Sequence, residues 1–371
     1  MDMNNNKTNI RFTFGIIVLN GEPFIKYNLR ALYPFAHQII VVEGANFNST
    51  HCATKDGHSL DNTLKILKEF KEKEDHDNKL VLVTAEDDGH LNGFWPGEKD
   101  EQCQAFAKRA TGNWLWQIDI DEFYLETDMK RIIRMLDEDP SIATISFPEI
   151  PFWGSFDYRC DGIFLRYRYS EVHRLFRWRP EYKYLTHRPV TVINEEGVDL
   201  REKNWMRAED MRKQGVYLYH YYCIFQNQVS SKMIYYHNRV KGASNGKSII
   251  IDSDKYLDRT FLKLKDPFHV HTVNAFPSWL ERFKGNHPQQ IKALKNDIEE
   301  GTVKISMRNM DDVDALVKSM RYRIGVKCYK IWGNYISQLN WISRDFIKGR
   351  IGVLKFVSSF FYVVIGKKQL F

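Results

Sequence analysis

Three acids, Asp119, Asp121 and Glu122, stand within four positions at the end of the apolar and aromatic run Trp114-Leu115-Trp116-Gln117-Ile118. The run has the character of a buried strand. Alternate side chains of a strand share a face, so Asp119 and Asp121 are expected to point to one side. Strand ends are also where open α/β sheets hold their ligands. Two hard carboxylates there suit a divalent cation that keeps open positions for phosphate oxygens. Downstream, Glu209-Asp210 opens a short helical segment, a place where acids also complement the helix dipole. His220 ends the β-prone run Tyr217-Leu218-Tyr219. On its own, a histidine there reads as a core residue bonded to a backbone carbonyl. In Glu171-Val172-His173-Arg174-Leu175-Phe176-Arg177, Glu171 is a further candidate base. The two arginines lie three apart and face opposite sides of a strand, so only one can reach a phosphate.

Elements able to position these groups are legible as alternating apolar strands and amphipathic helices. Arg11 to Leu19, Gln38 to Val42, Leu80 to Val83 and Leu115 to Ile118 read as buried strands. Between them Phe24 to Leu32, Leu60 to Lys73 and Asp100 to Thr111 read as helices, the second with Leu60, Leu64, Leu67 and Phe70 toward the core. Near-continuous apolar strands alternating with helices imply a mainly parallel sheet covered on both faces, joined by right-handed crossovers. Met129 to Leu136 continues as a helix and Ile142 to Phe147 as a strand. Short aromatic-rich strands follow at Phe164 to Tyr169, His173 to Trp178 and Pro189 to Ile193. The expected organisation is a flexible N-terminus (1–10), an α/β domain (11–225), a helical and irregular extension (226–317) and a basic amphipathic C-terminal segment (318–371).

The order of these landmarks resembles a known family. A strand ends at Asn20-Gly21-Glu22, another at Glu43-Gly44, and Asp61-Asn62-Thr63 starts a helix. A further helix ends at Lys108-Arg109-Ala110-Thr111-Gly112, and a strand ends at Asp119-Ile120-Asp121. Over roughly residues 11–225 this is similar to GT-A-fold glycosyltransferases of family 2. The resemblance implies a Rossmann-like, mostly parallel sheet and a nucleotide-sugar donor, UDP- or GDP-linked, with Mn²⁺ or Mg²⁺ as cofactor. By position, Leu19, Asn20, Glu22 and Glu43 would line the base and ribose. Asp119 would contact the ribose or the metal, Asp121 would bind the metal at the diphosphate, and His220 would add a metal ligand. Lys108 and Arg109 would add positive charge near the donor. In Arg207-Ala208-Glu209-Asp210-Met211-Arg212-Lys213-Gln214-Gly215 the acidic pair stands where such enzymes carry a general base, with Asp210 the first choice and Glu209 the second. An inverting transfer needs that base opposite the leaving group. Pro151-Phe152-Trp153-Gly154-Ser155 reads as a loop whose aromatic could stack on an acceptor sugar. His187 reads as structural.

The net charge of +7 is concentrated in the tail. From Lys318 onward eleven Lys and Arg face one acid, Asp345, so the first 317 residues carry about −3. Basic residues interleaved with Trp341, Phe346, Phe356, Phe360 and Phe361 suit peripheral contact with an anionic leaflet through 341–368. The apolar run is too short to span ~30 Å of hydrocarbon. Five scattered cysteines form no C-x-x-C pattern and, with no leader-like N-terminal stretch, fit a reducing cytoplasm. Nucleic-acid binding is not expected, since the body shows no recognition motif. A haloacid-dehalogenase phosphatase would carry its D-x-D on the first strand, and a nucleotidyltransferase would follow that strand with a glycine-rich basic loop. The remaining alternative is a non-catalytic relative that binds membrane or nucleic acid through its tail. The expectation is therefore a metal-dependent, inverting glycosyltransferase acting on a glycan or lipid-linked acceptor.

Overall fold

The computed structural model describes residues 9–97, 99–166, 170–242, 255–273 and 276–347. Its first half alternates strand and helix: β1 (Phe12–Val18), α1 (Phe24–Leu32), β2 (Ala36–Glu43), α2 (Thr63–Lys73), β3 (Leu80–Val83), α3 (Lys99–Ala107) and β4 (Trp114–Asp119). All seven residues of β1 are buried, as an inner strand of a sheet covered on both faces requires. Next come β5 (Glu122–Phe123), α4 (Glu126–Glu138), β6 (Ile142–Phe147), β7 (Glu149–Trp153), β8 (Tyr158–Gly162), α5 (Ile163–Arg166) and β9 (Val172–Arg177). The hairpin β10 (Lys183–His187) and β11 (Val190–Ile193) leads to β12 (Asn204–Met206), α6 (Ala208–Lys213), β13 (Leu218–Cys223), α7 (Gln226–Gly242) and β14 (Ser278–Arg282).

The main sheet has seven strands in the order β3-β2-β1-β4-β9-β6-β12. β1 runs parallel to β2 and β4, and β2 parallel to β3, so their C-terminal ends share one edge. β9 inserts antiparallel between β4 and β6. The expected α/β architecture, a mostly parallel central sheet, is what the chain adopts, with helices on both faces. On one face Ile25, Leu29, Leu67, Met129 and Ile132 from α1, α2 and α4 pack over Phe12, Phe14 and Trp116. On the other, Cys103 and Phe106 of α3 pack with Tyr184 and Val190 of the hairpin over Ile17, Ile40 and Val42. The approach of α3 is close enough that a Cβ on Gly15 would stand 2.4 Å from the Phe106 ring, so only glycine fits there.

After Asp119 the chain leaves the main sheet and joins a second, five-stranded sheet ordered β14-β8-β7-β13-β5. Residues 278–282 supply its edge strand, pairing antiparallel with β8. The helix Gln289–Glu299 buries Ile291 and Leu294 against Phe24 and Tyr27 of α1. The helices Asp311–Lys318 and Met320–Ile347 follow, seated by Val313 and Tyr322 in apolar clusters with Trp153 and Trp279 respectively.

Several local expectations are corrected. Helix α2 starts at Thr63 and Leu60 is exposed, because Asp61 accepts the Thr63 N–H at 2.9 Å and opens the helix only there. Phe164 lies in the short helix α5 rather than a strand, and residues 167–169 fall outside those described. Trp153 is not a loop aromatic; it is fully buried in β7, with its indole N–H donated to Tyr256 Oη at 3.1 Å. Nothing was predicted for β14, which has no apolar alternation strong enough to mark it. No helix of the described residues is long and apolar enough to cross a membrane. The segment expected to contact a membrane, 341–368, lies outside the described residues except for the backbone of 341–347, which continues the last helix.

Candidate active site

A cavity of about 1370 Å³ opens at the C-terminal edge of the parallel strands. Its lining includes Leu19, Asn20 and Glu22 after β1, Asp119 at the end of β4 and Asp121 beyond it, and His220 of β13. Asp119 and Asp121 do not share one strand, contrary to the alternation expected of them. β4 ends at Asp119, and the carbonyl of Asp121 already accepts the Tyr221 N–H of the second sheet at 2.8 Å. Both nonetheless line the same cavity, because the turn between the two sheets faces it.

Each acid has its own cationic partner. Arg174, on the antiparallel neighbour of β4, donates to Asp119 Oδ2 at 2.7 Å and to Glu122 at 2.6 and 2.8 Å. Arg174 is thus the arginine of its strand that turns toward the acids. Arg177 instead donates to the Ile142 carbonyl and covers the Trp114 ring. Burial alone would raise the Asp119 pKa, but Arg174, with Lys99 and His187 beyond it, holds that carboxyl well below its usual range. Asp119 Oδ1 has no hydrogen-bond partner among the described residues. Asp121 Oδ2 receives Lys232 Nζ at 2.6 Å and Gln228 Nε2 at 2.9 Å, both from α7. Asp121 Oδ1 lies 3.5 Å from His220 Nε2, and the other ring nitrogen of His220 meets Glu149 Oε2 at 3.1 Å. Burial disfavours the His220 cation, yet its bonds to Asp121 and Glu149 outweigh it and lift its pKa to about 10.

Two neighbouring groups follow the same electrostatics. Glu149, which burial would push up, is brought down to about 2 by His220 and Ser170. His187 is buried, with Nδ1 3.2 Å from Gln117 Nε2 and 3.5 Å from Cys103 Sγ, the structural placement expected of it.

Other predicted residues are placed differently. Asn20 lines the cavity, but its side chain is spent on the loop it faces, donating to the Cys52 carbonyl and accepting the Leu60 N–H, both at 2.7 Å. Glu22 likewise accepts the Asn62 N–H at 3.0 Å. Both shape the pocket wall. Glu43 is fully buried and does not line the cavity; it accepts from Ser59 N, Ser59 Oγ and His58 within 2.8 Å. Lys108 and Arg109 also lie off the cavity, paired to Asp88 at 2.5 and 2.9 Å. Glu209 and Asp210 stand on α6, which packs on β6, and neither lines the cavity. Asp210 Oδ2 accepts the Arg207 N–H at 3.1 Å, closing its own helix start, so the dipole role suffices for it. Glu171 forms a two-pronged pair with Arg207 at 2.8 and 2.9 Å and is likewise off the cavity. Asp210→Asn and Glu209→Gln are accordingly expected to keep the transfer activity expected from the sequence within about twofold of wild type, as surface changes do. A steady-state comparison of the two variants checks this, and a hundredfold loss in either would restore the pair as a catalytic candidate.

Sequence reading missed Lys99, Arg188, Lys232 and Glu149, all of which line the cavity. The available signal was Gln228-x-x-x-Lys232, two long polar side chains one helical turn apart on one face.

Among the described residues no group of three or more His, Cys, Asp or Glu is arranged to hold a metal by itself. The donor set present suits a cation that takes its other ligands from a phosphate. Asp121 and His220 are adjacent, Glu149 orients the imidazole from behind, and Asp119 Oδ1 is unpartnered.

No family model and no curated protein matches the chain. Solved structures do match it. They include S. aureus TarS 1–349, at 12% identity over 69% of this chain and 71% of that one, with a TM-score of 0.34. The same fragment in complex with UDP-GlcNAc matches at 12% identity over 69% and 72%, with a TM-score of 0.35. Glucosyl-3-phosphoglycerate synthase from Mycobacterium tuberculosis, in complex with Mn²⁺, UDP and phosphoglyceric acid, matches at 15% identity over 40% and 44%, with a TM-score of 0.27. Scores of this size carry no inference from those proteins to this chain. The sheet order and the acids at its C-terminal edge define the class here: an α/β protein with a mostly parallel sheet and a charged cavity at its strand ends.

Proposed function

We propose that the chain is a glycosyltransferase whose cavity takes a nucleotide-sugar donor. The observation that carries the reading is the pairing of Asp119 and Asp121 at the parallel-strand edge, with one Asp119 oxygen left unpartnered. A cavity of about 1370 Å³ exceeds the ~300–1,000 Å³ usual for one small ligand, so donor and acceptor can share it. Arg174 holds Asp119 in place, and Glu149 holds the His220 ring toward Asp121. Asp121 and His220 are the residues that would hold Mn²⁺ or Mg²⁺, the ion taking the place of the imidazolium proton and of the Lys232 ammonium. Such an ion would offset the charge developing on a departing nucleoside diphosphate.

A glycan or lipid-linked sugar is the proposed acceptor, with inversion at the anomeric carbon. Cytoplasmic placement with peripheral membrane contact through 341–368 belongs to the same reading. It is supported by the start of the last helix, where Met320, Ile324, Ile331 and Trp332 are exposed beside Arg321, Arg323 and Lys327.

Calorimetric titration of UDP and GDP with Mn²⁺, followed by transfer assays with the corresponding donors, tests the proposal. One nucleotide is expected to bind, and its sugar conjugates to be consumed. Absence of binding by both nucleotides would remove the donor pocket from consideration.

A further inference from the structure

The last helix, Met320–Ile347, is seated on the body by one face. Tyr322 is buried, and Val326 and Tyr329 pack with it against Ile163, Phe268 and Trp279. The Tyr322 ring stacks on Phe268 at 5.1 Å and the Tyr329 ring on Trp279 at 6.0 Å, while Tyr322 Oη accepts the Leu280 N–H at 2.7 Å. The approach is close, since a Cβ on Gly325 would stand 2.6 Å from the Phe268 ring. Lys330 Nζ adds an ion pair to Glu281 at 2.5 Å.

The opposite face carries apolar side chains to solvent. Met320, Ile324, Ile331 and Trp332 are each more than half exposed, and Tyr335 is 45% exposed. Positions 320, 324, 331 and 335 recur at the spacing of one helical face and form a stripe about 22 Å long at ~1.5 Å per residue. Arg321, Arg323 and Lys327 stand exposed beside it, and none of the three makes an ion pair with the described residues. A contiguous apolar stripe of this kind marks a surface that something covers.

Charge selects what covers it. From Lys318 onward eleven Lys and Arg face one acid, so a second copy of this helix would set like charge against like. The chain beyond residue 347, with Lys348, Arg350 and Lys355 and no acid, would do the same. A nucleic acid would answer the charge but gains nothing from the exposed apolar side chains. An anionic leaflet answers both, taking the apolar side chains at the acyl boundary and the arginines and lysine at its headgroups. The seat of the helix also matters. The apolar cluster beneath it includes Phe164 and Val273, which line the cavity, and the Phe164 ring stacks at 5.7 Å on His271, which lines it too. Only the helix and this cluster separate its outer face from the cavity wall there.

We infer that the outer face of the last helix over residues 320–335 is a docking surface for an anionic lipid leaflet, and that it holds the Phe164–Val273 wall of the cavity toward the membrane. The inference rests on the reading of peripheral membrane contact and moves that contact from 341–368 to a folded face of the body. A lipid-linked acceptor in the same leaflet would approach the cavity from this side.

The test is flotation of the full chain with vesicles of equal parts phosphatidylglycerol and phosphatidylcholine, against vesicles of phosphatidylcholine alone. Binding to the anionic vesicles is expected to be at least about tenfold tighter and to weaken as salt rises. Ile324→Glu combined with Ile331→Glu is expected to weaken it by at least about tenfold, because two apolar side chains leave the interface and two negative charges enter it. Both positions are exposed, and an unchanged melting temperature shows that the double variant is folded. A polarity-sensitive fluorophore on Cys328, exposed one turn on from Ile324, should shift to the blue when anionic vesicles are added. Vesicle binding that the double variant keeps, or a fluorophore that does not shift, would place the contact elsewhere and overturn the inference. Equal binding to both kinds of vesicle would overturn it too. So would a dimer by light scattering that the double variant dissociates, with no vesicle binding, since the occupant would then be a second copy. Failed vesicle binding with nucleotide binding intact removes the docking face alone, and the converse result removes the donor pocket alone.

Discussion

Arg174→Met is expected to cost about 3–5 kcal/mol of folding stability, the range for removing one partner of a buried ion pair. The guanidinium is buried between two carboxylates and makes three bonds to them, at 2.6, 2.7 and 2.8 Å. Methionine fills much of the side-chain volume but leaves Glu122, which is fully buried, without its cation. Burial already pushes the Glu122 carboxyl up with Arg174 present, so in the variant it takes up a proton more readily. The Asp119 carboxyl, now held well below its usual range, loses the group that holds it there. A depressed carboxylate pKa contributes stability above the unfolded value and loses it as pH falls. The gap between wild type and Arg174→Met attributable to Asp119 should therefore be full at neutral pH and narrow in acid, below the ordinary aspartate range. Arg174→Lys should fall between the two, because one ammonium cannot span both carboxylates as the planar fork does. Urea denaturation at neutral and acidic pH measures all of this. A loss below about 1 kcal/mol for the methionine variant would mean that the carboxylates find other partners.

The second large effect concerns Asp121. Asp121→Asn keeps the shape of the side chain and removes its charge. With Mn²⁺ present, nucleotide affinity is expected to fall by about two orders of magnitude, because the variant loses a hard anionic ligand where the cation would sit. Calorimetry with the preferred nucleotide reads the loss directly, and an affinity within about threefold of wild type would exclude Asp121 as a ligand. The same change removes the counterion of Lys232 and one of the groups that lift the His220 pKa to about 10, beside Glu149 and Glu122. A raised histidine pKa contributes stability that is complete below its unfolded value near 6.5 and disappears as pH climbs to the folded value. The melting temperatures of wild type and Asp121→Asn should therefore differ most near pH 6 and converge toward pH 10. A difference that does not vary with pH would show that the charge of His220 does not depend on Asp121.

Much of the scaffold was legible in residue order. The apolar runs of β1, β2, β3 and β4 marked inner parallel strands, since only a strand covered on both faces tolerates such runs. α1 was readable to its ends, Phe24 to Leu32, from its helical spacing. The same reading failed where local signals were ambiguous. Aromatic residues suggested a strand at Phe164 and an exposed loop at Trp153, but packing against residues beyond 250 made one helical and buried the other. Glu209-Asp210 is a good helix start in any context, so its resemblance to a catalytic pair carried no information about where α6 would lie.

The sequence by itself determined that a mostly parallel α/β sheet would form and that one of its strands would run out into acids at Asp119, because period and polarity are local properties of the chain; that Asp121 leaves this strand for the second sheet was not legible. Only the tertiary structure decided which charges meet those acids. Arg174 reaches Asp119 across 55 residues and Lys232 reaches Asp121 across 111. Lys108 and Arg109, closer in sequence, turn away to Asp88. A charged side chain has no periodicity to betray its partner. Its pairing follows from which strand inserts beside β4 and which helix crosses the strand ends, and burial then makes that pairing strong.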